Sequence, residues 1–129
     1  MLSMDSPVFA RPGLEVREGP RGRGVFATRA FAADEDVEIC PSVELPRDET
    51  RGGVLADYVF DSERGHDAVV VVLGYGMLYN HAEDPNLEYE QDAAGVFTFF
   101  AVRAIAPGEE LTITYGRDWW ASRRTKPIA

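Results

Sequence analysis

Three loops of this 129-residue chain gather the residue types that could bind or transform a ligand. The first is Gly19-Pro-Arg-Gly-Arg-Gly-Val-Phe26. Its glycines at 22 and 24 permit positive φ and a close backbone approach, and Arg21 or Arg23 can meet a carboxylate. An ordinary hairpin turn would use the same residues. The second is Leu73-Gly-Tyr-Gly-Met-Leu-Tyr-Asn-His-Ala-Glu-Asp-Pro-Asn86. Here Asn80-His81 leaves an apolar stretch at a bend and Pro85-Asn86 makes another. The Asn80 carboxamide offers an acceptor and donors to a polar small molecule, or satisfies backbone groups at the bend. The third is Gly108-Glu-Glu-Leu-Thr-Ile-Thr-Tyr-Gly116, followed by Arg117-Asp-Trp-Trp120. Its aromatic side chains suit either a cap on the core or a pocket wall for a cation or an alkyl chain.

Other chemistries are poorly served. The chain has no Gly-x-x-x-x-Gly-Lys phosphate loop, no Gly-x-Gly-x-x-Gly between strand and helix, and no Gly-x-Ser-x-Gly elbow. A Cys40–His81 nucleophile and base would rest on composition alone. As the single cysteine, Cys40 excludes an intrachain disulfide, and with His66 and His81 it cannot supply the four close ligands of a structural zinc site. No metal is expected. The pairs Glu109-Glu110 and Glu83-Asp84 read as solvated loop residues. With 13 Lys+Arg against 22 Asp+Glu the net charge is −9, which lacks the basic face of a nucleic-acid binder and suits a basic partner. No apolar run approaches the roughly 20 residues of a membrane span, and Met1–Gly13 carries no signal pattern, so a reducing, soluble compartment is expected.

The elements that must position these loops are short. Gly and Pro recur between segments rich in Val, Ile, Phe and Thr, a pattern of many strands in one mostly β domain. Gly24–Ala27 is a brief apolar strand, and Val37-Glu-Ile-Cys and Val43-Glu-Leu alternate as half-buried strands do. Ala68–Leu73 reads as a strand covered on both faces. Leu87–Gln91 and Val96–Arg103 flank Asp92-Ala-Ala-Gly95 as a hairpin, and in Glu110–Tyr115 the residues Leu111, Ile113 and Tyr115 share a face. Pro46–Tyr58 is expected to hold a short helix broken near Gly52-Gly53, and Asp118–Arg124 another.

The three loops, in this order and spacing, resemble the signature of SET-domain protein-lysine methyltransferases. Gly22-Arg-Gly-Val-Phe26 resembles the family's first cofactor motif, and Asn80-His81 with Pro85-Asn86 its central motif. Glu110-Leu-Thr-Ile-Thr-Tyr-Gly116 resembles the catalytic-tyrosine motif, and Asp57-Tyr-Val-Phe60 the segment supplying another aromatic. The chain most resembles the minimal enzymes of chlorella viruses and their short bacterial relatives, over roughly residues 12–124. Where the larger members read Asn-His-Ser-Cys, this chain has Ala82 and Glu83. That cysteine serves a zinc-binding tail in those members, so its loss fits the short subfamily.

The resemblance implies a fold of several small curved sheets with short helices and a C-terminal pseudoknot. Residues 1–11 would be an N-terminal extension, 12–116 the SET domain, and 117–129 an aromatic segment closing the site. It implies methyl transfer from S-adenosylmethionine to a lysine ε-amine of a basic protein segment, a histone tail among the candidates, with S-adenosylhomocysteine as product. Arg23, Gly24, Val25, Phe26, Asn80, His81, Tyr115 and Trp120 would contact the cofactor. Tyr115 would orient amine and sulfonium as the catalytic residue with Tyr58, while Tyr58, Tyr89, Ile113 and Trp119 would line the lysine channel. The short viral-type relatives work as homodimers, so a dimer is implied, in the cytoplasm for a bacterial source or a host nucleus for a viral one. The rival readings are a non-catalytic SET-fold module that binds lysine-bearing peptides, and a small-molecule methyltransferase on a different fold. The second lacks its usual strand–glycine loop–helix motif in this sequence.

Overall fold

The computed structural model describes residues 10–62 and 67–115. Turn residues cut the apolar segments into strands of two to six residues. These are β1 (Ala10–Arg11), β2 (Leu14–Gly19), β3 (Gly22–Ala27), β4 (Asp36–Cys40), β5 (Ser42–Pro46), β6 (Phe60–Asp61), β7 (Ala68–Val72), β8 (Asn80–His81), β9 (Leu87–Gln91), β10 (Phe97–Ala101) and β11 (Glu110–Ile113). They form three small sheets, ordered β1-β2-β3-β11-β8, β4-β10-β9 and β5-β7-β6. Among the described residues every strand pairing is antiparallel except one: β8 runs parallel to β11, with Asn80 opposite Thr112 and His81 opposite Ile113. The second and third loops therefore meet as neighbouring strands, and the first meets them because β3 borders β11 on its other side.

Several local expectations hold. Asp92 Oδ1 accepts from the Ala94 and Val96 amides, both at 2.9 Å, and Gly95 takes a φ of +83° to close the β9–β10 hairpin. Val69, Val70 and Val72 of β7 are buried, with β5 on one side and β6 on the other. The segment 46–58 forms two 3-10 turns, Arg47–Glu49 and Val54–Asp57, with Gly52 at a φ of +76° between them. The helix expected over Asp118–Arg124 lies outside the described residues. The Asn80-His81 bend is instead a short strand, because the parallel ladder to β11 captures its backbone groups.

From Glu38 onward the alternation in β4 comes out inverted. Glu38 is buried at 5 % exposure while Ile39 is 56 % exposed. A bulge leaves Val37 without a partner, since Phe99 pairs with Glu38 and Phe100 with Asp36, so the side chains switch faces. A buried carboxylate costs several kcal/mol unless it is paired. Here Oε1 accepts from the Tyr79 hydroxyl at 2.7 Å, and Oε2 meets the Tyr75 amide at 2.9 Å and Arg11 Nε at 2.8 Å. Glu38 thus ties both ends of the 75–79 turn to β4.

Leu14, Val25, Phe31, Tyr79, Leu87, Phe97, Phe99, Ile105 and Leu111 form the centre of the core, drawn from all three loops and the hairpin. Asn86, only 2 % exposed, joins the hairpin to β11: its Oδ1 accepts from the Thr112 amide at 2.9 Å, and its Nδ2 donates to the Glu110 carbonyl at 2.8 Å. Removing the carboxamide strands two buried backbone groups. Asn86→Ala should therefore lower unfolding free energy by about 2–4 kcal/mol in urea titration, since each orphaned group costs about 1–3 kcal/mol.

Candidate active site

The sheet junction opens into a cavity of about 410 Å³, lined by Glu18, Arg21, Arg23, Tyr58, Met77, Leu78, Asn80 and Tyr115. Its polar end is made by the first loop. The β2–β3 hairpin turns through Pro20-Arg21, with Gly22 at a φ of +84°. This sets Arg21 where its Nη1 pairs with Glu110 Oε1 at 3.2 Å. Gly24 is needed for a different reason. A Cβ there would run into the Glu110 carboxylate and lie 2.8 Å from Asn80 Nδ2, so only glycine lets these groups meet.

Asn80 Nδ2 donates to the Arg23 carbonyl at 2.9 Å and to Glu110 Oε2 at 2.8 Å. Two acceptors on one side fix the amide with its nitrogen toward them. The opposite oxygen, Oδ1, has no partner among the described residues. Arg23, exposed at the rim, likewise has an unpaired guanidinium among the described residues. The cavity thus offers a fixed acceptor and an unpaired cation, a match for the ammonium and carboxylate of a bound amino acid. Glu18 stands opposite Arg23 in the β2–β3 ladder and supplies a second anionic group.

Its other end is aromatic and thioether-lined. The Tyr115 hydroxyl donates to the Tyr79 carbonyl at 2.8 Å. Burial, with Tyr58 and Glu110 nearby, pushes the Tyr115 phenol up to about 12. It stays neutral near pH 7, a donor to Tyr79 whose oxygen can still accept. Tyr79 is held in turn by Glu38, and its own phenol lies well above the usual value, chiefly through burial and then Glu38. A buried carboxylate therefore orients the residue whose carbonyl aims the cavity tyrosine.

His81 sits behind Tyr115. Its Nδ1 accepts from the Tyr115 amide at 3.0 Å, its ring lies 5.3 Å from the Tyr115 ring, and Nε2 faces Glu83 at 3.8 Å. Burial lowers its pKa, against the opposing pull of Glu83. Protonating Nδ1 would break the bond to Tyr115. Because the folded value lies below the unfolded one, this contribution is complete above the unfolded value of about 6.5 and is lost as pH falls through it toward the folded one. The urea midpoint should accordingly fall between about pH 7.5 and about pH 5.5, and His81→Gln, which keeps an acceptor but does not titrate, should lose that part of the fall.

Cys40 takes no part in such chemistry. Burial, then Glu38, pushes its thiol up to about 12, and His81 is engaged with Tyr115. Among the described residues no group of three His, Cys, Asp or Glu could hold a metal ion, and no helix is long and apolar enough to cross a membrane.

Residues 22–116, most of the chain, match the SET domain. The chain belongs to the SET-domain family. It is similar, at 32 % identity over 123 residues, to the histone-lysine N-methyltransferase of Schizosaccharomyces pombe specific for H3 lysine-37, covering 91 % of this chain and 82 % of that one. It is also similar in structure to a Plasmodium falciparum protein described as a histone methyltransferase, with a TM-score of 0.68 and 31 % identity over 84 % of this chain and 96 % of that one. The mostly β architecture of several small sheets is that of SET domains, and the family match together with the Schizosaccharomyces pombe relative supports lysine methyltransferase activity.

Of the SET residues expected to act, Arg23, Asn80, Tyr58 and Tyr115 line one cavity, and Gly24 packs against Asn80 and Glu110. Val25 is wholly buried in the core, and Phe26 lies under the Arg17 guanidinium at 3.9 Å. Ile113 is buried in the core, while Tyr89, 40 % exposed, packs edge-on against Phe60 and tilted against Phe97 and Phe99. Neither Ile113 nor Tyr89 is among the residues lining the cavity. Trp119 and Trp120 lie outside the described residues.

Two residues escape the sequence reading. Glu110, expected to be a solvated acid, has a side chain only 6 % exposed and holds both Arg21 and Asn80. Glu38 is the other. For Glu110 the available signal is its position: it opens the strand Glu110–Ile113 that leads to Tyr115, opposite the glycine-rich hairpin.

Proposed function

We propose that this SET-domain protein is a protein-lysine N-methyltransferase that uses S-adenosylmethionine to methylate a lysine in a basic protein segment, a histone tail among its substrates. The observation that carries the reading is one cavity lined by two chemically different sets of residues. One set holds a fixed acceptor and an unpaired guanidinium, and the other a neutral tyrosine hydroxyl with a second tyrosine nearby. When bound, S-adenosylmethionine supplies a methyl group activated on a sulfonium. Arg23 would take its carboxylate and Asn80 Oδ1 its ammonium.

The remaining work is positioning. A lysine ammonium, with a reference pKa near 10.4, must lose its proton before it can attack. Met77, Leu78 and Tyr58 desolvate the lysine stem and so favour the neutral amine. The rings of Tyr58 and Tyr115 tolerate the cation that re-forms on nitrogen after transfer. The Tyr115 oxygen accepts a hydrogen bond from the amine and turns its lone pair toward the methyl group. Exposed Glu83, Asp84, Glu88 and Glu90 favour a basic substrate segment. The same reading carries a homodimer, a C-terminal pseudoknot, and residence in the cytoplasm or a host nucleus.

Incubation with S-adenosylmethionine and either core histones or a cell extract, followed by mass spectrometry, tests it. New single-methyl increments on lysine, absent without enzyme, support the reading. No transfer to any protein together with no calorimetric binding of the cofactor would replace it with a peptide-binding module.

A further inference from the structure

Glu38 is a buried carboxylate with no step of its own in methyl transfer, and its partners run from the edge of a sheet to the cavity. The outer partner is Arg11 of β1, the strand at one end of the five-stranded sheet. Arg11 Nε meets Glu38 Oε2 at 2.8 Å, with the arginine side chain 40 % exposed and the glutamate side chain 2 %. On the other oxygen, Oε1 accepts from the Tyr79 hydroxyl at 2.7 Å. The Tyr79 carbonyl in turn accepts from the Tyr115 hydroxyl at 2.8 Å. Three contacts thus join a half-exposed guanidinium to a tyrosine that lines the cavity.

The backbone makes room for this arrangement at Gly74, which takes a φ of +69°. A Cβ there would lie 2.6 Å from Glu38 Oε2 and 3.3 Å from Arg11 Cζ, so any other side chain would push the ion pair apart. Arg11 precedes the residues 22–116 that match the SET domain, and it reaches the site in space alone. We propose that Arg11 and Glu38 are positioning residues for methyl transfer, holding the Tyr115 hydroxyl in place through Tyr79. The inference rests on the part given to Tyr115 in the lysine methyltransferase reading above.

The physical reason is charge. A carboxylate buried this deeply keeps its place only while its partners meet it. Without the Arg11 guanidinium the charge is uncompensated, and the carboxylate turns toward water. Its Oε1 then leaves the Tyr79 hydroxyl, and Tyr79 loses the anchor that fixes its carbonyl. The Tyr115 hydroxyl follows that carbonyl away from the lysine amine. Cofactor binding is spared, because Asn80 bonds the Arg23 carbonyl and Glu110, neither of which belongs to this series.

Arg11→Met removes the charge at a half-exposed position and keeps most of the bulk. Single-turnover transfer to a histone tail peptide, at saturating cofactor and peptide, should slow by about 10-fold, short of the roughly 10²-fold that a full 1 Å misplacement costs. Cofactor affinity by calorimetry should stay at the wild-type value. Arg11→Lys, which restores a cation, should transfer at close to the wild-type rate. In a Tyr115→Phe background Arg11→Met should cost nothing further, because its effect passes through the hydroxyl already removed. Tyr79→Phe, which deletes the hydroxyl bonded to Glu38, should repeat both results. Equal losses in the two backgrounds would make Arg11 a support of the fold alone and overturn the proposal, as would wild-type rates in Arg11→Met.

A second measurement needs neither cofactor nor turnover. Tyrosine isotopically labelled at Cζ gives an NMR signal for Tyr115, identified by its loss in Tyr115→Phe, and that signal should move in Arg11→Met and return in Arg11→Lys. A signal unmoved by Arg11→Met overturns the proposal and leaves the parent reading standing. If the wild-type protein transfers no methyl group to any acceptor, the parent reading falls and the positioning role falls with it.

Discussion

Tyr115→Phe should lower methyl transfer by about 10²–10³-fold, the loss typical of removing one preorganised polar group from a reacting centre. Cofactor affinity should stay close to wild type, because the groups assigned to the amino-acid end, Arg23 and Asn80, do not bond the Tyr115 hydroxyl. The substitution keeps the ring, its packing against His81 and the Tyr115 amide bond to Nδ1. It removes only the oxygen between the Tyr79 carbonyl and the lysine amine. Stability should change by no more than about 1 kcal/mol, the net worth of one ordinary hydrogen bond. Because burial holds the phenol near 12, its ionisation cannot govern the pH–rate profile near neutrality, and the variant should retain the shape of the wild-type profile. Single-turnover transfer with calorimetric cofactor titration checks both halves, and unchanged turnover would remove Tyr115 from its role.

How far the sequence could be read depends on where each partner lies. The β9–β10 hairpin was legible because everything that specifies it sits within a few residues: Asp92 caps the amides of Ala94 and Val96, and Gly95 supplies the positive φ. The buried strand at 68–72 was legible for the same reason, since a continuous run of valines states its own burial. The gathering of Arg23, Asn80, Tyr58 and Tyr115 was not visible in any local pattern. It followed from resemblance to the SET family, and physically it depends on β11 accepting β3 and β8 on opposite sides.

Glu38 and Glu110 show what local pattern cannot carry. An acid alternating with apolar neighbours reads as solvent-facing, yet the bulge at Val37 turns Glu38 inward to partners 37 and 41 residues away. Glu110 shares a dipeptide with Glu109, which accepts from the Ala106 amide in its own turn, whereas Glu110 meets Arg21, 89 residues earlier. In both cases the sequence displays an expensive charge and omits the distant groups that stabilise it. Buried carboxylates of this kind are found by asking which backbone approach only glycine permits, as Gly74 does at Glu38 and Gly24 at Glu110.

Glu110→Gln should weaken S-adenosylmethionine binding by about 10–100-fold, the equivalent of the roughly 1.5–3 kcal/mol carried by a hydrogen bond to a charged group. The carboxylate accepts on both oxygens, from Arg21 Nη1 and from Asn80 Nδ2. A glutamine has one oxygen and one NH₂, so whichever way it turns, a donor faces a donor. If the NH₂ faces Asn80, that carboxamide loses its anchor and Oδ1 is no longer fixed toward the ammonium. If it faces Arg21, a guanidinium only 22 % exposed loses its counter-ion and is drawn toward the cavity, where it competes with the cation intended for the carboxylate. Either route damages binding more than chemistry, so turnover at saturating cofactor should fall far less than affinity. Glu109→Gln alters only its neighbouring turn and should bind the cofactor as wild type does. Equal affinity in the two variants would mean that Asn80 is oriented by the Arg23 carbonyl alone, and that the buried charge of Glu110 serves the fold and not the site.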